Sequence, residues 1–253
     1  MLRTRVMPCL LLKDGALVKT IRFKKPSYIG DPINAIRIYN EKEVDELVFL
    51  DISATKNRRG PDFQVISDIA SECFMPVTYG GGVHDLAEVR ELFRLGIEKV
   101  AINTCAIENP DFVSQIADRF GSQSVVASID VRRKSGGRYE ALIRGGEQLT
   151  GLDPVELALR LQKAGIGEIL LTSIDRDGTY EGYDIELVKR VTDAVSVPVI
   201  ACGGAGTIQD FRAAVEQGGA SACAAGSMFV YFGRNRAVLV NFPLRSELES
   251  VLC

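Results

Sequence analysis

Residues 76–82 read PVTYGGG and residues 198–204 read PVIACGG. Each is a short apolar run opened by proline and closed by glycines, the pattern of a buried strand that stops at a tight turn. They lie 122 positions apart. ELVFLD (46–51) and EILLTS (168–173) share the same offset. A single match is what glycine-ended strands produce by chance. Two matches at one offset predict a chain built from two halves.

Outward from these stretches, strand-like runs recur at Val6–Leu12, Glu46–Ile52, Pro76–Tyr79, Lys99–Ile102, Val125–Val131, Glu168–Ser173, Pro198–Ala201 and Ala222–Ala225. Helical patterns at Leu86–Leu95, Asp111–Phe120, Pro154–Ala164, Ile185–Ala194 and Ile208–Gln217 fall between them. Strands alternating with helices predict a parallel sheet, because each parallel connection needs a crossover. Eight strands in two sets of four predict an α/β fold, a (β/α)8 TIM barrel with an internal half-barrel repeat, as one domain over 1–253. No GxGxxG follows the first strand, which argues against an open dinucleotide-binding sheet.

The 253 residues are 46% hydrophobic and 25% charged, with a formal net charge of -3. No basic block is present, so nucleic acid and membrane are not expected partners. Six cysteines (Cys9, Cys73, Cys105, Cys202, Cys223, Cys253) form no CxxC pair. That usage predicts buried free thiols in a reducing, cytoplasmic compartment. No apolar run is long enough for a signal peptide or a membrane span.

The repeat sets Asp130, near the end of the fifth strand, opposite Leu11 in CLLLKDG (9–15). A twofold barrel can present a pair of aspartates there; this chain presents one. Glycines close the strands in two sets: Gly80-Gly81-Gly82, followed by Asn103-Thr104, and Gly203-Gly204, followed by Gly226-Ser227. Asp177-Gly178 adds a turn to the second set. Such turns let backbone N–H groups approach an anion, or are tight barrel turns without a ligand. Two cradles related by the repeat predict an elongated substrate with a phosphate at each end. The stretch from Lys19 to Asp31 reads as a long loop on the active face, with Lys19 by itself an ordinary exposed lysine. His84, the only histidine, reads as a helix-start residue, so neither a Ser-His-Asp site nor a metal centre is expected. Arg5, Glu46, Lys99 and Glu168 open four of the strands with alternating charge, a pattern that alone predicts a stabilising salt-bridged ring at the base.

DELVFLDI (45–52), GGGV (80–83), INT (102–104), DRFGSQ (118–123), GEILLTSIDRDGT (167–179), GYD (182–184) and GGAG (203–206) are dense and specific. Over essentially its whole length the chain resembles the cyclase subunit of imidazole glycerol phosphate synthase. The resemblance implies a heterodimer with a glutaminase docked on the barrel's base, whose ammonia crosses the barrel and reacts at the top with a bisphosphorylated ribulosyl aminoimidazole compound. It implies no cofactor. It makes Gly82, Asn103, Thr104, Asp177, Gly178, Gly204, Gly226 and Ser227 phosphate positions, and the ring Arg5, Glu46, Lys99 and Glu168 an ammonia gate. Lys19 and Asp51 match site positions. Asp130 matches one of two acid–base aspartates; the other falls on Leu11, where the family has CLDV. Thr20, Arg22, Tyr79 and Cys202 also depart from the pattern. An altered mouth over a kept base points to a divergent paralogue. It would supply ammonia to a further synthetase, as in amidination of a sugar for surface polysaccharide. The alternative is the cyclase subunit proper, in histidine biosynthesis.

Overall fold

A computed structural model describes residues 4–233 and 235–252. Eight parallel strands close a barrel: β1 (Arg5–Lys13), β2 (Leu47–Asp51), β3 (Val77–Gly80), β4 (Lys99–Ile102), β5 (Val125–Arg133), β6 (Glu168–Ser173), β7 (Val199–Cys202) and β8 (Ala222–Ala225). Each pairs with the next, and β8 returns to β1 with Arg5 beside Ala222. The predicted barrel and its strand positions are thus observed. Helices α1 (Pro32–Glu41), α2 (Phe63–Glu72), α3 (Leu86–Arg94), α4 (Pro110–Phe120), α5 (Pro154–Lys163), α6 (Ile185–Thr192), α7 (Ile208–Glu216) and α8 (Arg245–Leu252) surround it. The sequence reading identified α3 to α7 and left out α1, α2 and α8. None of the described helices is long and apolar enough to cross a membrane.

Alternation along each strand divides the core into two layers. Met7, Cys9, Val48, Ala101, Val126, Leu170, Ile200, Ala222 and Ala224 fill the barrel interior. Val6, Leu10, Phe49, Val77, Ile129, Ile169 and Val199 face the helices. Cys9 and Cys223 are buried, and Cys73, Cys105 and Cys202 are partly so, all as free thiols. Cys253 lies outside the described residues.

The half repeat reaches down to single dihedrals. The N-cap of α3, Asp85, has φ -140° and ψ 164°, and that of α7, Thr207, has φ -139° and ψ 163°. Both open a capping box, Asp85 with Glu88 and Thr207 with Asp210. In each half a glycine lies directly against a strand-end carbonyl. A Cβ on Gly81 would come 2.5 Å from the Asp51 oxygen, and one on Gly203 would come 2.7 Å from the Ser173 oxygen. Only glycine fits such an approach at positive φ.

The stretch after β1 corrects the loop expectation. Ala16–Ile21 and Lys24–Gly30 form an antiparallel hairpin that extends β1 over the barrel mouth. A matching extension, Tyr139–Ile143, follows β5. Proline and glycine within Lys24–Gly30 imitate a loop, and five of its seven residues are exposed. The strand is held by pairing with its neighbour, which single-residue preference does not register.

Candidate active site

Strand register fixes the relation between Leu11 and Asp130. Leu11 pairs with Leu50 on β2 and begins the antiparallel pairing with Val18. Asp130 pairs with Thr172 on β6 and begins the pairing with Leu142. Leu50 and Thr172 are again separated by the repeat. Leu11 and Asp130 therefore occupy equivalent places, and both line the cavity at the mouth. The carboxyl of Asp130 is buried; desolvation first, then the Asp177 carboxylate, push its pKa up to about 7. Among the described residues Asn103 is its neutral partner, with Nδ2 donating to it at 3.4 Å and to the Ser128 carbonyl at 2.9 Å. An acid poised near neutrality can give or take a proton at a reacting atom. The leucine facing it can do neither.

Lys19 is not an exposed lysine but is 6% exposed. Its ammonium donates to the Cys9 carbonyl and packs on Gly226, where a Cβ would collide with Nζ. The hairpin bearing it is tied to the loop after β6. Thr20 Oγ1 donates to Asp177 Oδ2 at 2.8 Å, the Phe23 N–H donates to the same oxygen at 3.2 Å, and the Arg22 N–H donates to the Asp177 carbonyl at 2.9 Å. Arg22 and Phe23 form the hairpin's two-residue turn with φ of 52° and 60°. Side chains other than glycine and asparagine adopt that region at a cost, which these bonds offset. Asp177, expected among the phosphate positions, lines the cavity yet spends its carboxylate on this tie. Burial raises its pKa even so.

Asp51 is likewise occupied. Oδ1 accepts from Ser53 N–H, Ser53 Oγ and Ala54 N–H at 2.9, 2.8 and 3.0 Å, and Oδ2 accepts from Arg59 at 2.7 Å. Those bonds shape the loop after β2. Tyr79, read as a mouth residue, points outward into the helix-facing layer, because it sits one residue off the inward phase of β3. Its buried hydroxyl has no hydrogen-bond partner among the described residues. Cys202 does line the mouth. His84 stands at the start of α3, its Nδ1 2.8 Å from the Gly82 carbonyl, as a helix-start residue would.

Both glycine cradles line the same cavity: Gly82, Asn103 and Thr104 on one side, Gly178, Gly204, Gly226 and Ser227 on the other. Asn103 (φ -112°, ψ -84°) and Gly226 (φ -110°, ψ -77°) share one backbone conformation, so the two sites are copies in geometry. Lys56 and Phe23 also line the cavity and were not expected there. Nothing in the local sequence marks them; the loop and hairpin that bring them in are tertiary.

At the base, Arg5 Nη1 bonds Glu46 at 2.6 Å and Nη2 bonds Glu168. Lys99 Nζ lies 3.0 Å from both glutamates. Thr78 Oγ1 adds a donor to Glu46 at 2.7 Å. It was missed, although its inward phase two residues before Gly80 could have revealed it. Two positive and two negative groups thus close a ring, and the uncharged interior layer lies between it and the mouth.

The family model for histidine biosynthesis proteins matches residues 5–235. The chain belongs to this family. Within it, the chain is 51% identical over 249 residues to a Pseudomonas aeruginosa protein provisionally named imidazole glycerol phosphate synthase subunit hisF2, covering 98% of this chain and 99% of that one. It is 45% identical over 252 residues to a Leptospira interrogans protein provisionally named subunit HisF, covering 99% of both. It is 45% identical over 231 residues to the imidazole glycerol phosphate synthase subunit HisF of Alkaliphilus metalliredigens, covering 91% of this chain and 92% of that one. The chain is therefore a HisF-like subunit of the histidine biosynthesis family.

Proposed function

We propose that this HisF-like chain is the synthase-side subunit of a glutamine amidotransferase complex. A glutaminase partner docks on its base, ammonia enters at the ring of Arg5, Glu46, Lys99 and Glu168, and a doubly phosphorylated ligand occupies the mouth. The observation that carries the finer reading is Leu11 at the place equivalent to Asp130, over a ring whose four members are all present. Loss of one member of an acid–base pair costs about 10²–10⁴ in rate. A kept intake beneath a weakened reaction centre fits a paralogue that passes ammonia to a further synthetase, with amidination of a surface-polysaccharide sugar as the destination. The Pseudomonas relative carries the numbered name hisF2, which agrees with this reading. The second reading is the cyclase itself, in histidine biosynthesis, with Asp130 working alone. Its support is the buried acid near neutral pKa.

The test supplies purified chain with free ammonia and the bisphosphorylated ribulosyl aminoimidazole substrate, alongside complementation of a histidine auxotroph lacking its cyclase. Very slow turnover and no growth are expected. Growth at the ordinary rate would overturn the paralogue reading. Leu11→Asp should raise turnover without restoring the family rate, because Thr20 and Arg22 still hold the hairpin to Asp177. For the partner, a pull-down followed by glutamine-dependent ammonia transfer should show transfer lost in Lys99→Ala and Glu46→Ala.

A further inference from the structure

The mouth holds three carboxylates, Asp51, Asp130 and Asp177, but among its described lining residues only two cations, Lys19 and Lys56. Lys19 is fixed beside Gly226, on the side of the second glycine set. The first set has no such resident charge. Arg59, behind it, is spent on Asp51, and Arg144 is paired with Glu108 at 2.7 Å. A phosphate entering beside Gly82, Asn103 and Thr104 would meet Asp51 and Asp130 nearby with nothing fixed to balance it, unless Lys56 turns to it.

Lys56 is built for that turn. It stands on the loop after β2, and its Nζ reaches across to Glu147, on the extension after β5, at 2.6 Å. Its stem lies along Gly145, where a Cβ would come 2.9 Å from Cε and 3.5 Å from Nζ. The neighbouring Arg144 N–H donates to Thr104 Oγ1 at 3.1 Å. The ammonium is thereby held one residue along the chain from the backbone that touches the Thr104 hydroxyl. The pair is open to water, with side-chain exposures of 36% and 65%. Exposed pairs of this kind are weakly held and exchange partners readily, whereas a phosphate dianion in a half-enclosed cavity is a stronger partner.

We propose that Lys56 is the phosphate-binding cation of the first cradle, held by Glu147 until a phosphate monoester binds at Gly82, Asn103 and Thr104 and then transferred to it. This rests on the two-cradle reading above. The two ends of the mouth then differ in kind: one has a buried, fixed cation, the other a mobile one recruited by the ligand.

Inorganic phosphate is the probe, titrated while the backbone amide signals of Gly82, Asn103 and Thr104 and those of Gly204, Gly226 and Ser227 are followed separately by NMR. In the unaltered chain both sets should move. Lys56→Met should weaken the first set's affinity about tenfold and leave the second within about twofold, and Lys56→Arg should recover most of the loss. Glu147→Gln should tighten the first site, because the parked lysine is released; a merely structural pair would give no change or a loss. If both sets move and Lys56→Met titrates like the unaltered chain, the assignment of Lys56 fails while the two cradles stand. If neither set moves in the unaltered chain, the two-cradle reading fails and takes the assignment with it.

Discussion

Asp130 keeps its proton to about pH 7, whereas an aspartate in the unfolded chain loses it near pH 4. Between those values the folded chain binds more protons than the unfolded one, so this group's contribution to stability falls as pH rises through the window and is least favourable above it. Asp130→Asn removes the buried charge. It should raise the melting temperature at pH 8 by more than about 3 °C and much less at pH 4. Equal shifts at the two pH values, measured by calorimetry, would contradict the burial argument. Tyr79 gives a second residue-level test. Its hydroxyl is buried without a partner, and such a group costs about 1–3 kcal/mol. Tyr79→Phe should therefore leave the fold unchanged and stabilise it by about 1 kcal/mol in denaturant unfolding. Both residues were visible in the sequence as departures or matches, and the repeat set Asp130 at the mouth, but the outward orientation of Tyr79 was not legible. Whether a strand residue faces the mouth or the helices turns on a one-residue phase, and a four-residue strand such as β3 gives too little alternation to set it.

At the scale of elements, the mouth is closed on one side by a hairpin whose turn is strained and whose anchor is the loop after β6, chiefly Asp177. Asp177 accepts from both Thr20 and Phe23, and its carbonyl accepts from Arg22. Thr20→Val keeps the shape and removes the hydroxyl donor. It should speed amide hydrogen exchange across Ala16–Gly30 while the barrel strands keep their protection, at a cost of about 1 kcal/mol. Uniform loss of protection would show that the hairpin is not a separate unit. The barrel strands were legible because each is a short apolar run bounded by proline or glycine. The hairpin, α1 and α2 were not. Their boundaries are set by Asp31 and Asp62 capping and by pairing partners far from the turn residues that disguised them.

For the whole molecule, the base ring is the feature that most nearly spans the barrel, joining β1, β4 and β6 with Glu46 just ahead of β2. Lys99 bridges both glutamates. Removing one partner of a buried ion pair costs about 3–5 kcal/mol, and the 20% exposure of Lys99 reduces that toward about 1–3 kcal/mol for Lys99→Ala. Unfolding in denaturant measures it. A loss near zero would mean that Arg5 alone satisfies the two carboxylates. The membership of this ring was readable from charges at strand starts; its connectivity, and Thr78 within it, needed the closed barrel.

Between the ring and the mouth, the interior layer of the described residues is an apolar cluster running from Met7 and Val48 through Leu170 and Ile200 to Ala224. For ammonia entering at the base, such a column is a proton sieve. An ammonium ion would have to shed its hydration with nothing there to replace it, while the neutral base loses far less. On the proposed route, what emerges at the top would be a free nucleophile, its lone pair unspent, and the buried acid lining the mouth there is Asp130. Leucine at residue 11 leaves one aspartate at the paired positions instead of two. On the reading proposed above, the same change that weakens the mouth as a reaction centre would make it a milder outlet, handing the base onward rather than trapping it as a cation.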